Sequence, residues 1–277
     1  MGDEHVNGAS LPILELRSIT VSYREESGGT TVLRRFSVAV EEGELLCILG
    51  PSGCGKSTLL KAAGSFLLPE EGKVLLEGTP VKAPDPERVM VFQEQNQLYP
   101  WKRVEGNVAL GLISGVRRSP GEPRQAVSRE EARVLSRQAL EEVGLSGAER
   151  LFPHQLSGGM RQRVALARAF VGLPRVLLMD EPFASVDAPQ RRELQLLLRR
   201  LLSDHTGTAV FVTHDVEEAL ILGSRIIVMG PDGSILHEDR PPSVGAPDPD
   251  AGGHRGADAL VDRRARLHAA LRKRGSG

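Results

Sequence analysis

An apolar run from Glu44 to Leu49 empties directly into Gly50-Pro51-Ser52-Gly53-Cys54-Gly55-Lys56-Ser57-Thr58, and a helical pattern from Lys56 to about Gly64 leaves it. A Gly-x4-Gly-Lys-Ser run between a buried strand and a helix is a phosphate-binding loop. It constrains the fold, because a strand buried on both faces belongs to a parallel sheet covered by helices. Gly53 and Gly55 permit backbone angles that turn successive N–H groups inward, cradling an anion at a helix N-terminus. Lys56 supplies a point charge for the β- and γ-phosphates. The Ser57 hydroxyl is a hard-oxygen ligand for Mg2+, and Thr58 is placed for an α-phosphate.

The rest of the chain agrees with that frame. Ile13 to Tyr23 and Val32 to Val40 read as strands around a turn-like Glu25 to Thr30, and Lys73 to Glu77 and Arg88 to Phe92 as two more. Val176 to Met179, Ala209 to Thr213 and Arg225 to Met229 follow as apolar strands, so strands alternate with helical segments. From about Gln95 to Ser157 the pattern turns helical. Ser128 with Glu131 forms a capping box, and Ala132, Leu135, Ala139 and Val143 follow at helical spacing. This reads as an inserted helical subdomain at about 95–157 within a domain spanning 11–240. Ser114 to Ala126, rich in Arg, Pro and Gly, is expected to be a mobile loop. Residues 241–257 read as a Pro/Gly/Asp-rich linker, and 258–277 as a basic terminal helix with Leu260, Leu267 and Leu271 on one side.

Composition narrows the partners. Lys plus Arg number 35 against 36 Asp plus Glu, so no basic field favours nucleic acid. No apolar run reaches the 20 or so residues needed to span a bilayer, and the polar N-terminus lacks the order of a signal peptide. The two cysteines, Cys47 in a strand and Cys54 in the loop, suit a reducing compartment rather than a disulfide. A globular cytoplasmic protein is expected.

Further chemistry lies at strand ends. Val176-Leu177-Leu178-Met179-Asp180-Glu181 closes an apolar strand with two carboxylates, where open α/β sheets place their ligands. Asp180 is placed to hold Mg2+, and Glu181 to orient and deprotonate an attacking water. His214 closes the strand Ala209 to Thr213 and is a candidate γ-phosphate sensor. Gln93 closes another, and its carbonyl oxygen could complete the metal shell. Leu156-Ser157-Gly158-Gly159-Met160 sets an N-cap serine before two unblocked glycines, a second anion-binding turn.

In their order along the chain, Gly50 to Thr58, Gln93, Leu156 to Gln162, Asp180-Glu181-Pro182, Asp187 and His214 resemble the ATP-binding cassette subunit of ABC transporters, from about Leu14 to Leu236. The resemblance implies an α/β P-loop NTPase core, mostly a parallel sheet flanked by helices, with an N-terminal antiparallel β subdomain and an inserted α-helical subdomain. It implies ATP and Mg2+ as cofactors, and a head-to-tail homodimer in which Ser157, Gly158 and Gly159 reach the partner's γ-phosphate. Tyr23 matches the aromatic that stacks on adenine, and Gln93 the loop between metal and membrane subunit. Glu181 matches the catalytic carboxylate, Asp187 the inter-subunit loop and His214 the switch histidine. The implied partners are an integral-membrane permease and, indirectly, an extracytoplasmic solute-binding protein, which would place the chain on the cytoplasmic face of the inner membrane. Gln97-Leu98-Tyr99-Pro100-Trp101, followed by Asn107-Val108, is similar to the nitrate/sulfonate/taurine/bicarbonate importer group. Phe183-Ala184-Ser185-Val186-Asp187 departs from the family's usual Gly-Ala-Leu-Asp. A soluble ABC-type ATPase acting on DNA or ribosomes would bring paired cassettes or a coiled-coil insertion, which do not fit here. A P-loop kinase or GTPase has no use for the Ser-Gly-Gly turn.

Overall fold

Odd and even positions of the strand ahead of the phosphate loop are both buried, and this sets the layering. Leu45, Cys47 and Leu49 enter one hydrophobic cluster while Leu46 and Ile48 enter another, as the two-residue period of a strand requires when both faces are covered. In the computed structural model, residues 11–25, 28–92, 97–117, 122–205, 207–231, 233–241 and 254–272 are described.

The chain opens with an antiparallel pair, β1 (Leu14–Glu25) and β2 (Gly28–Val40), then runs through β3 (Leu45–Leu49) and the phosphate loop into α1 (Lys56–Ala63). Strands β4 (Glu71–Leu76) and β5 (Thr79–Pro80) return to the first sheet before β6 (Arg88–Val91) joins the second. Helices α2 (Val104–Val108), α3 (Arg129–Glu142) and α4 (Gly158–Phe170) lead to β7 (Val176–Asp180). After it come α5 (Ala188–Asp204), β8 (Thr208–Thr213), α6 (Val216–Leu222), β9 (Arg225–Met229), β10 (Ile235–Asp239) and α7 (His254–Arg272). The small sheet, β2-β1-β4-β5, is antiparallel throughout. The large one, β10-β9-β3-β8-β7-β6, is parallel except for its edge strand β10.

Leu46, Ile48, Leu178 and Val212 of the large sheet pack against Leu14, Ile19 and Leu33 of the small one and Leu59 and Leu60 of α1. Its other face packs against Leu140, Leu166, Phe170, Leu198 and Leu201. The helix ends follow the sequence. The side chain of Ser128 accepts the Glu131 N–H at the start of α3, and that of Ser157 accepts the Met160 N–H at the start of α4. Such caps satisfy N–H groups that a helix leaves without partners. At the other end of α1, buried Arg88 donates to the carbonyl oxygen of Ala63 and the hydroxyl of Ser65, and pairs with Asp85. A cation there complements the helix dipole and anchors the helix that begins at the phosphate loop.

Several expectations are corrected. The turn read over Glu25 to Thr30 is mostly strand, since β1 runs to Glu25 and β2 starts at Gly28. The expected mobile loop is tethered in its described part: Val116 bridges Gln125, and Arg117 and Arg124 both pair with Glu87. Helix α7 starts at His254, inside the span read as linker, and residues 242–253 lie outside the described residues. Leu267 is fully buried on it and Leu271 packs at the core's edge, whereas Leu260 is exposed.

Candidate functional site

Strand register decides which side chains can meet. Leu49 of β3 lies opposite Thr213 of β8, and Val212 opposite Asp180 of β7. These three parallel strands are neighbours and end in one row, so Gly50, Glu181 and His214 leave the sheet at the same edge. Neighbouring strands lie about 5 Å apart, which keeps the phosphate loop and Asp180 within about 10 Å.

The loop itself has the geometry its glycines suggest. Gly53 and Gly55 hold φ of 84° and 101°, a region other residues enter only with strain. Gly50 is required for space instead: a Cβ there would stand 2.6 Å from Cys54 Sγ. Cys54 turns its thiol into the core, where burial raises its pKa, leaving only its backbone for the loop's concave side. Pro51, Ser52 and Gly53 are exposed along the crest. Lys56, almost fully buried, donates to the carbonyl oxygens of Gly50 and Pro51 at 2.8 and 3.0 Å, so its ammonium is already inside the loop.

Asp180 is buried, and burial raises its carboxyl pKa. A hydrogen bond with the Ser57 hydroxyl opposes that rise, neighbouring Glu181 adds to it, and Lys56 counters it. Two hard oxygens side by side beneath the phosphate loop suit a small divalent cation, which takes one or two protein oxygens and completes its shell with phosphate and water. Among the described residues no group of three or more His, Cys, Asp or Glu forms a self-contained metal cage. Gln93 lies outside the described residues.

Glu181 sits at φ 43°, held by its N–H donating to the Val212 carbonyl at 3.0 Å. A non-glycine residue in that region is strained, and such residues cluster at functional sites. The turn aims the carboxylate at His214, whose Nδ1 lies 2.9 Å from Glu181 Oε2. Tyr23 is half exposed, with its hydroxyl 3.2 Å from Thr58 Oγ1, so an aromatic face stands beside the start of α1.

The second turn stands apart from this group: among the described residues, no hydrogen bond or ion pair joins Ser157–Gly159 to the phosphate loop. Its partner is the turn at Asp187. That carboxylate caps α5 by accepting the Gln190 N–H at 3.0 Å, and a Cβ on Gly159 would strike Gln190 Oε1 at 2.1 Å. Gly158 faces open space.

Two structural features near the site have little or no sequence signal. Asn107, fully buried, accepts the Tyr99 N–H and donates to the carbonyls of Tyr99, Lys102 and Arg103, shaping the turn that carries Tyr99 and Trp101. Arg168, in the last turn of α4, donates to the Gln97 carbonyl at 2.8 Å. Asn within an apolar helical stretch is the signal for the first; nothing local marks the second.

The ABC transporter family model matches residues 33–184, more than half of the chain. The bicarbonate transport ATP-binding protein CmpC of Synechococcus elongatus is 42% identical over 222 residues, which cover 78% of this chain and 32% of CmpC. The match thus spans about a third of that relative's length. The taurine import ATP-binding protein TauB of Escherichia coli O157:H7 is 40% identical, covering 74% of this chain and 76% of TauB. The nitrate import ATP-binding protein NrtD of Synechococcus elongatus is also 40% identical, over 75% and 73%. Among solved structures, the ATP-binding cassette MJ0796, a dimer bound to ADP and Pi, superposes with a TM-score of 0.69 at 32% identity. It covers 82% of this chain and 98% of that one. Identity at this level over three-quarters of the chain, on the same fold, makes this protein a member of the ABC transporter family and one of its ATP-binding subunits.

Proposed function

We propose that the chain is the ATP-hydrolysing subunit of an importer for a small solute of the nitrate, taurine or bicarbonate kind, working as a head-to-tail pair beneath a membrane permease. The observation that carries this reading is the division of anion-binding elements: Lys56, Glu181 and His214 share one sheet edge, while the Ser157 turn, open at Gly158, is separate from it. A second copy would bring its Ser157–Gly159 turn to this protomer's triphosphate. The solutes of the relatives, bicarbonate, taurine and nitrate, supply the solute class.

In this reading Tyr23 stacks on adenine and the loop's N–H groups hold the phosphates. Lys56 neutralises charge that builds on the β- and γ-oxygens. Ser57, Asp180 and Gln93 would hold Mg2+, which supplies further charge neutralisation when bound. Glu181 orients a water for in-line attack and accepts its proton, and His214 fixes that carboxylate and senses the γ-phosphate. Parting of the pair after hydrolysis returns the permease to its resting side. Co-expression with a candidate permease and binding protein, followed by ATP-driven uptake of nitrate, taurine and bicarbonate into vesicles, tests the reading. Uptake of none of the three would refute the solute class.

The permease contact belongs to a groove of about 480 Å3 lined by Phe92, Tyr99, Leu110, Ile113 and Arg168. Beside it Trp101, 70% exposed, packs on Tyr99 with ring centroids 5.1 Å apart. Large aromatics dominate interface energies, and Trp101→Ala should cost about 2 kcal/mol, or roughly 30-fold in permease affinity. Pull-down of the permease measures this, and an unchanged melting temperature is expected because the side chain is on the surface. Retention equal to wild type would remove Trp101 from the interface.

Ser157→Arg should poison the site of the opposite protomer. In mixed pairs of wild-type and Ser157→Arg chains, separated by two affinity tags, ATP turnover should fall to half or less. Full turnover would count against a shared site.

A further inference from the structure

The side chain of His214 is lightly anchored, 61% exposed with Glu181 as its one hydrogen-bond partner among the described residues. Its backbone neighbours are held far more firmly. Thr213, 1% exposed, accepts the Asp215 N–H at its hydroxyl (3.0 Å) and donates that hydroxyl to Glu218 Oε2 (2.6 Å). The other oxygen of Glu218 accepts from Gln195 Nε2 on α5 at 3.3 Å. Glu218 and Gln195 are 5% and 4% exposed. The result is one buried chain of hydrogen bonds that starts on α5, passes through a carboxylate and the Thr213 hydroxyl, and ends on the Asp215 N–H, so that it holds the residues on either side of His214.

A second link runs parallel to it. Arg191, four residues before Gln195 and so on the same face of α5, lies 3.8 Å from Asp215 and donates to the Val186 carbonyl. Asp215 in turn caps α6 by accepting the Glu217 N–H at 2.8 Å. Both links therefore join the His214 turn to the helix that Asp187 caps. A small cavity of about 40 Å3 between Glu181, Arg191, His214 and Glu218 leaves room for no more than a water or two. The turn has little freedom in any direction but outward.

A carboxylate buried this deeply is an uncommon choice for a simple core position, where an apolar side chain of similar size packs without desolvating a charge. Burial raises the Glu218 carboxyl pKa, while the hydrogen bonds from Thr213 and Gln195 lower it. What the carboxylate provides that leucine could not is two directional acceptors facing opposite elements.

We infer that Glu218 is a positioning residue for ATP hydrolysis: through Thr213 and Gln195 it sets the His214 turn and locks it to α5, so that the imidazole meets Glu181 at hydrogen-bond distance. The inference rests on the reading of His214 given above. It leaves the phosphate loop and α1 untouched, because Glu218, Thr213 and Gln195 belong to neither.

The test is steady-state ATP hydrolysis by the purified full chain, with kcat and KM for ATP measured for Glu218→Ala, Glu218→Gln, Thr213→Val, Thr213→Ser and His214→Ala, alongside melting temperatures. Glu218→Ala and Thr213→Val should each lower kcat at least about 10-fold with KM within about twofold of wild type. Glu218→Gln should return kcat to within about threefold, because its amide oxygen can accept from Thr213 while Gln195 flips to accept from its NH2 group. Thr213→Ser, which keeps the hydroxyl, should do likewise. If Glu218→Ala does not fold, the near-isosteric Thr213→Val decides. Wild-type kcat in Glu218→Ala or Thr213→Val, with His214→Ala inactive, would overturn this inference and leave the role of His214 standing. Glu218→Gln as slow as Glu218→Ala would overturn it too, since the loss would then not follow the bonding pattern. Wild-type turnover in His214→Ala would instead overturn the reading of the histidine, and the inference with it.

Discussion

Lys56→Ala should reduce ATP turnover by at least about 100-fold and ATP affinity by a comparable factor, because one side chain serves both. Removing a preorganised donor from a site where charge develops costs about 10²–10³ in rate, and Lys56 is the loop's only cation, since Gly50 to Gly55 carry no other basic residue. The ammonium lies within 3.0 Å of the Gly50 and Pro51 carbonyls. The variant thus loses a buried tie across the loop as well as a phosphate contact. Fluorescent-nucleotide titration and phosphate release measure the two effects. Normal hydrolysis would remove this loop from the mechanism.

Glu181→Gln should separate what Lys56→Ala merges. The amide keeps the size of the side chain and can still meet His214 Nδ1, so the strained turn at φ 43° is retained. It cannot accept a proton from the attacking water. Loss of a general base costs about 10²–10⁴ in rate, while every group that touches the phosphates is unchanged. ATP should then bind and stay, holding two protomers together. Gel filtration with ATP should show a dimer for Glu181→Gln and mostly monomer for Lys56→Ala. Monomer alone in both would take away the main support for Glu181 as the water-activating residue.

Local pattern made much of this legible. The phosphate loop, its strand and α1 could be read because glycine, lysine and buried aliphatics each have a short-range reason to be where they are. The same holds for α4, whose start is announced by Ser157. Strand β5 has two residues and β10 is a half-exposed edge, so neither offers an apolar run or a clean alternation. The 114–126 segment looked loose because its composition is that of a loop. What ties it down is Glu87, about 30 residues earlier in the chain, meeting Arg117 and Arg124. Gln195 and Glu218 are likewise 23 positions apart and on different helices, so their meeting is a property of the fold. Asp187 stands out by family resemblance, yet its cap on α5 has an ordinary local signal: Asp followed by Ala-Pro, with proline in the first turn.

Helix α4 has 13 residues, about 20 Å of stiff rod at 1.5 Å per residue. One end carries Gly158 and the other, through Arg168, grips the strand of chain at Gln97 that floors the aromatic groove. Tilting such a rod ten degrees about its first turn would swing the far end by about 3 Å. In the paired arrangement proposed above the helix would serve as a lever arm: a small adjustment where a triphosphate is clasped would become a displacement as large as a side chain at the opposite surface.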